Sequence, residues 1–344
     1  MDLRKIEKIE IKKAILHILN NQEEFIKESD YTLEIDDKVK KFLKEHILKS
    51  LHDDKTRAAK FINESNSVKK NCNNIFNNAD NFVKNSKEIA RKLFSSMSNK
   101  TISPADLIIT SFESNGEAYL ALLKMDYNEI YKHEVEETED GKVKTKLVVD
   151  ESSSLPNLNQ KLQKSAFIQP ENNDTDYDIV LLDKQTNSKS ASKDIAQFFL
   201  KNFLNAKLEK DDQHKTRVFK NSTIDFVNEN YDDSKEREDI ISYMYSTLEQ
   251  KSEINIRDFS DIFDEEIRDD YIDHLMSDDI GDYEFKPDEE TVNNKKVVIK
   301  TKEDIKIRLD KVLYDEERYI KIQEKDDGNY EINIKTDEYD YDVK

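Results

Sequence analysis

The chain predicts an α+β protein: an N-terminal antiparallel sheet with packed helices, an acidic helical middle region and a small C-terminal β subdomain. Three observations carry that prediction. Apolar β-type runs separated by turn residues fill much of the first 182 positions. Amphipathic helical periodicity takes over from Lys193 to Met276, and short strand-like runs return after Pro287. Periods of 2 and of 3.6 in apolar residues are the primary signals of strand and helix. The expected division is residues 1–206 as the α+β domain, 207–286 as the acidic helical region and 287–344 as the β subdomain with an acidic tail.

Taken in order, Ile6 to Asn20 mixes periods and is read as a strand, followed across a polar turn by a second strand at Tyr31 to Ile35. Asp36 or Asp37 then caps a helix to Leu51 with Val39, Phe42, Leu43, Ile47 and Leu51 on one face. The Asn/Ser-rich stretch from Asn63 to Asn78 weakens helicity, and a helix from Ala79 to Met97 follows. Leu107 to Phe112 and Tyr119 to Leu123 flank Ser114, Asn115 and Gly116, forming a hairpin whose unbroken apolarity implies burial on both faces. A second hairpin turns at Asp140 and Gly141 between His133–Thr138 and Lys142–Val149. Ser165 to Gln169 and Asp178 to Leu182 add two strands, so one antiparallel sheet of five or more strands is expected.

Beyond the sheet, Lys193 to Asn205 reads as an amphipathic helix bearing Phe198, Phe199, Phe203 and Leu204. Helices are expected at Thr216–Asn230, Ser234–Gln250, Arg257–Phe263 and Glu265–Met276. Strands are expected at Lys296–Thr301, Ile305–Leu309, Tyr319–Gln323 and Tyr330–Lys335, with Asp327 and Gly328 at the last turn.

Composition excludes several function classes. Only 4 Gly occur, and they stand far apart, so neither a Walker loop nor a dinucleotide fingerprint can be assembled. The single cysteine, Cys72, allows no internal disulfide and fits a reducing cytoplasm. Apolar runs are too short to cross a bilayer, and Met1 to Lys13 has no apolar core of a secretion signal, so export is not expected. The six histidines are scattered, which favours ordinary surface histidines over a zinc site. Pro287 and Asp288, with Asp304, Ile305 and Lys306, match the short PD-(D/E)xK nuclease pattern. A chain with 75 acids produces such a pattern by chance, and surface charge is the preferred reading. No catalytic residue, metal or cofactor is assigned.

Charge is segregated. The formal net charge is −20, yet the segment Asp225–Glu290 alone holds 24 acids against 6 bases. Phosphate contacts depend on the local field, so a negative total does not exclude nucleic acid. Three basic groups stand out: Lys38 to Lys49 on the outer face of the first helix, the lysines from Lys184 through Lys220 around and after the aromatic helix, and Lys295 to Arg308 near the C-terminus. Within them the expected DNA contacts are Lys40, Lys41, Lys44, Lys189, Lys193, Lys215, Arg217, Lys295, Lys296 and Lys300. Direct DNA binding requires these groups to share one face. The acidic helices have two readings of their own, solubility or a basic protein partner reached by mimicking DNA.

With these elements placed, the chain resembles the bacterial nucleoid-associated protein family of the NdpA type. The resemblance runs through the hairpin from Ala105 to Leu123 and the segment Ile195, Ala196, Phe198, Phe199, Phe203, Leu204. It continues at Thr223 to Val227 and from Ile305 to Ile320, in family order over nearly the whole chain. It implies a non-enzymatic, cytoplasmic protein of the nucleoid whose partner is double-stranded DNA, bound with little sequence preference. A homodimer is compatible with it. A protein-interaction or DNA-mimic module is the alternative, and a Mg²⁺-dependent nuclease a distant third.

Overall fold

In the computed structural model the described residues are 2–53, 55–63, 65–137, 143–158, 160, 162–171, 175–184, 196–293, 296–300, 306–310, 320–325 and 330–334. The protein is α+β, and its contacts gather into two compact units, Met1–Glu209 and Lys210–Lys344.

The first unit contains β1 (Glu10–Asn20), β2 (Phe25–Lys27), α1 (Asp37–Leu51), β3 (Arg57–Phe61), α2 (Ser67–Asn77) and α3 (Phe82–Ser96). The hairpin β4 (Ala105–Ser114) and β5 (Glu117–Asp126) follows, then β6 (Asn128–Glu137), β7 (Val143–Ser154), β8 (Lys164–Ile168) and β9 (Ile179–Asp183). A π-helical segment, Phe198–Phe203, and β10 (Ala206–Leu208) complete it. Eight strands form one antiparallel sheet in the order β10-β3-β9-β8-β5-β4-β1-β2. Its two faces are both covered. Ile109, Leu122 and Ala166 pack with Val68, Ile75 and Leu93 of α2 and α3, whereas Ile108, Ala121 and Phe167 pack with Leu43, Ile47 and Leu51 of α1. This three-layer arrangement explains why the central strands lack polar alternation.

Several sequence expectations change. The mixed period of β1 has a cause: its pairing with β4 shifts register between Ile11 and Lys13, a bulge that resets which residues face inward. The segment Tyr31–Ile35 is not a strand. The edge next to β1 is Phe25–Lys27 instead, entered through Glu24 at φ 59°. Ser29 then diverts the chain from the ladder, its N–H donating to His17 Nδ1 at 3.2 Å and its hydroxyl to the Leu16 carbonyl at 2.5 Å. The Asn/Ser-rich stretch forms α2 after all, because Val68, Cys72 and Ile75 bury one face and the Asn66 side chain caps its first turn. The hairpin β6–β7 forms a separate two-stranded ribbon and does not join the main sheet. Its turn at Asp140 lies outside the described residues.

The aromatic segment also differs from a regular helix. Its described part closes a wider ring, with the Leu204 N–H donating to the Phe199 carbonyl at 3.0 Å, five residues back. Asn205 at φ 48° ends the segment and releases the chain into β10.

In the second unit come α4 (Asp212–Asn230), α5 (Ser234–Gln250), the short β11 (Ile254–Asn255), α6 (Ile256–Ser260), α7 (Arg268–Ser277), β12 (Glu284–Phe285) and α8 (Glu289–Asn293). They enclose an aromatic core in which Phe226, Phe263 and Tyr271 meet edge-on or tilted, with centroids 4.4 to 5.5 Å apart. The Thr223 and Tyr271 hydroxyls share a buried hydrogen bond of 2.7 Å. Large rings thus supply the core of a region whose surface is mostly acid. Two hairpins follow, β13 (Lys296–Lys300) with β14 (Lys306–Asp310), and β15 (Ile320–Glu324) with β16 (Tyr330–Ile334).

Candidate functional site

The expected DNA contacts fare unequally. Helix α1 starts at the Asp36 cap, whose carboxylate accepts the Val39 N–H at 2.8 Å, and sets Lys40, Lys41 and Lys44 away from its buried face. Lys41 is exposed and the other two are half-buried. None of the three has an ion-pair partner among the described residues, whereas Lys49 is tied to Glu45 at 3.1 Å. Lys189, Lys193 and Lys295 lie outside the described residues. Lys296 and Lys300 are cross-strand neighbours of Asp310 and Lys306 on the β13–β14 hairpin. Lys215 is held by Asp282 at 2.5 Å with little exposed surface, and Arg217 is half-buried in the same helix. Several lysines around the aromatic segment are likewise neutralised, Lys184 by Asp53, Lys207 by Glu209 at 3.2 Å and Lys210 by Asp279 at 2.5 Å. Lys201 is not.

Other sequence candidates are absorbed by the fold. Asp288 accepts both the Thr291 N–H at 2.9 Å and its hydroxyl at 2.7 Å, so half of the nuclease pattern serves as a helix cap. Asp304 lies outside the described residues. The expectation of surface histidines fails at three positions, since His17, His46 and His214 are buried. Burial pushes His17 down to about 4, and its ring bridges Ser86 Oγ at 3.0 Å and the Ser29 N–H. Burial lowers His46 as well, and it lifts the Cys72 thiol to about 12, leaving that sulfur inert at neutral pH. Among the described residues no group of His, Cys, Asp or Glu is arranged to hold a metal, and no helix is long and apolar enough to cross a membrane.

The sequence reading passed over the α2–α3 layer. Residues 67–96 carry six bases (Lys69, Lys70, Lys84, Lys87, Arg91, Lys92) against two acids, Asp80 and Glu88. Arg91 is engaged by Glu28 at 2.6 Å, Lys69 by Glu171 at 3.2 Å and Lys87 by Asp30. Lys70, Lys84 and Lys92 have no ion-pair partner among the described residues. This basic layer covers the sheet face opposite α1. The α1 lysines and the α2–α3 cations therefore lie on opposite faces of the sheet.

Between α2, the end of α3 and the π-helical segment lies a polar cavity of about 590 Å³. Among the described residues its walls are Asn, Ser and Lys, and Lys92 and Lys201 are the charged ones. Asn66 builds the floor. Nearly fully buried, it accepts the Val68 N–H at 2.9 Å and donates to the carbonyls of Leu204 at 2.7 Å and Asn205 at 3.0 Å. That one side chain fixes the start of α2 against the end of the π-helical segment. Ser95 and Ser96 turn their hydroxyls onto the Lys92 carbonyl at 2.9 and 2.8 Å, so their oxygens keep acceptor capacity toward the cavity.

The floor of the π-helical segment is itself anchored. Lys164 of β8 and Asp183 of β9 are directly opposite in the ladder and form a fully buried ion pair of 2.7 Å. The second Asp183 oxygen accepts the Ala196 N–H at 2.8 Å, and the Lys164 ammonium lies 5.5 Å from the Phe198 ring centroid. Removing one partner of a buried pair strands the other's charge, so the pair is costly to break and holds the start of the aromatic segment in place.

Comparison with known proteins completes the picture. No curated protein matches the chain. One family does, over residues 15–339 and so across both units, and its description is nucleoid-associated protein YejK. By the extent of that match, this chain belongs to the family of the nucleoid-associated protein YejK.

Proposed function

We propose that this protein is a non-enzymatic DNA-binding component of the bacterial nucleoid, contacting duplex DNA through phosphates with little sequence preference. The observation that carries this reading is the family match over residues 15–339. The cations of α1 support it: Lys40, Lys41 and Lys44 form a compact group that no carboxylate among the described residues neutralises. Unpaired lysines can replace condensed counterions on DNA, while lysines already paired with carboxylates gain little by doing so. In this reading Lys215, bound to Asp282, contributes less than the α1 group. Lys189, Lys193, Arg217, Lys295, Lys296 and Lys300 remain proposed contacts on sequence grounds.

The test is duplex binding measured across salt concentrations. The affinity is expected to fall linearly on logarithmic axes, with a slope of about −0.9 for each phosphate neutralised. Absence of binding at low ionic strength would refute the reading.

A second reading is favoured by one observation. Glu265, Glu266, Asp269, Asp270 and Asp273 form an exposed acidic run through the start of α7, and only Arg268 sits among them, bound to Asp261 at 2.8 Å. Such a surface fits a basic protein partner. Charge reversal across Asp258–Asp270 that leaves capture of that partner unchanged would eliminate it.

A further inference from the structure

The cavity between α2, α3 and the π-helical segment has features that packing does not explain. A cavity of about 590 Å³ falls within the size range of small-ligand sites. Such sites are usually lined by apolar and aromatic groups, yet every described side chain on these walls is Asn, Ser or Lys. In a chain with 75 acids, no carboxylate among the described residues lines this space. Lys92 and Lys201 approach from two different elements and neither is engaged in an ion pair among the described residues. Lysine, serine and asparagine are the side chains that contact phosphate oxygens and sugars in nucleic-acid complexes. They offer ammonium and amide donors to the anionic oxygens and hydroxyl groups for the remainder.

We infer that this cavity binds a phosphate group, with Lys92 and Lys201 as its cationic arms and Asn202 and Ser98 as neutral contacts. The two ammonium groups supply charge, and the Asn202 amide and the Ser98 hydroxyl supply directional hydrogen bonds. Asn66 is a positioning residue, because its side chain is already filled by α2 and the Leu204 and Asn205 carbonyls. The phosphate has two chemical sources, the backbone of a nucleic acid or a free phosphate compound. Only the first source rests on the DNA-binding reading above.

The experiment uses the full chain and two variants, the double substitution Lys92→Ala with Lys201→Ala and the single substitution Asn202→Asp. Lys201 and Asn202 are exposed, so Asn202→Asp introduces repulsion without disturbing the core. Duplex affinity is measured against salt, and thermal stability is measured with added inorganic phosphate at constant ionic strength. For a backbone phosphate, both variants lower duplex affinity on the order of tenfold, and the double substitution reduces the salt slope by about 1 to 2. For a free phosphate, inorganic phosphate raises the melting temperature of the parent protein and not of the variants, while duplex binding is unchanged. Wild-type protein that responds to phosphate but binds no DNA supports the cavity and refutes the DNA reading. Equal duplex affinity and equal phosphate response in all three proteins would overturn the inference.

Discussion

At the scale of single residues, Asn66 and His17 carry the clearest expectations. Asn66→Ala removes a helix cap, about 1 kcal/mol, and strands the Leu204 carbonyl near the cavity floor, roughly another 1 to 2 kcal/mol, while the Asn205 carbonyl keeps the Ile62 N–H at 3.0 Å. Urea denaturation is expected to show the whole loss, and Asn66→Asp, which keeps the cap but turns a buried carboxylate oxygen toward the Leu204 and Asn205 carbonyls, is expected to be destabilised as well. An Asn66→Ala midpoint equal to the parent's would remove Asn66 as the anchor. His17 gives a pH dependence. Its folded value of about 4 lies below the ordinary 6.5, so the unfolded chain binds the proton more tightly. The resulting stability is complete above pH 6.5 and is lost as pH falls from 6.5 toward 4, a change of roughly 3 kcal/mol. His46 is shifted in the same direction and adds to it. His17→Gln is expected to flatten the pH profile of the denaturation midpoint across that window, and an unchanged profile would assign the effect elsewhere.

Among the elements, the π-helical segment depends on a buried charge pair more than on its own propensity. Asp183→Asn leaves the Lys164 ammonium without its counter-ion in a fully buried site, which costs about 3 to 5 kcal/mol. Replacing both partners, Lys164→Met with Asp183→Leu, is expected to recover much of that loss, because neither charge is then stranded. Hydrogen exchange should report local loosening at Phe199 to Leu204 in the single variant. If the two variants are equally unstable, packing and not charge is the anchor. Along the chain, α1 was legible because Asp36, the i/i+4 apolar spacing and the absence of Pro and Gly agree. The start and end of α5 at Ser234 and Gln250 were legible for similar reasons. By contrast, α2 was hidden because asparagines have poor intrinsic helicity, and its stability comes from tertiary burial of Val68, Cys72 and Ile75. β3 was missed because Arg57–Phe61 is short and its meaning comes from pairing with β9 and β10.

For the whole molecule, charge segregation sets the expected behaviour. A net charge of −20 does not prevent DNA binding if the contacting region carries unpaired cations. Substituting Lys40, Lys41 and Lys44 together with alanine is expected to reduce the salt slope of duplex binding by about 2 to 3 while leaving the denaturation midpoint within about 0.5 kcal/mol. A salt slope identical to the parent's would move the contact surface away from α1. Because α1 and the α2–α3 layer cover opposite faces of the sheet, the α1 substitutions and the cavity substitutions probe different surfaces.

The amino-acid sequence alone determined the α+β class, the central β4–β5 hairpin, most helix positions and the family likeness. Each of these is written in local periodicity or in residue order along the chain. Only the tertiary structure decided which lysines are neutralised, because ion pairs such as Lys215 with Asp282 and Lys184 with Asp53 join residues far apart in sequence. It alone assembled the cavity, whose walls come from segments near residues 65, 95 and 202 and carry no motif in any one of them. Local spacing specifies secondary structure, but the sign and accessibility of a surface depend on which distant side chains folding brings within reach.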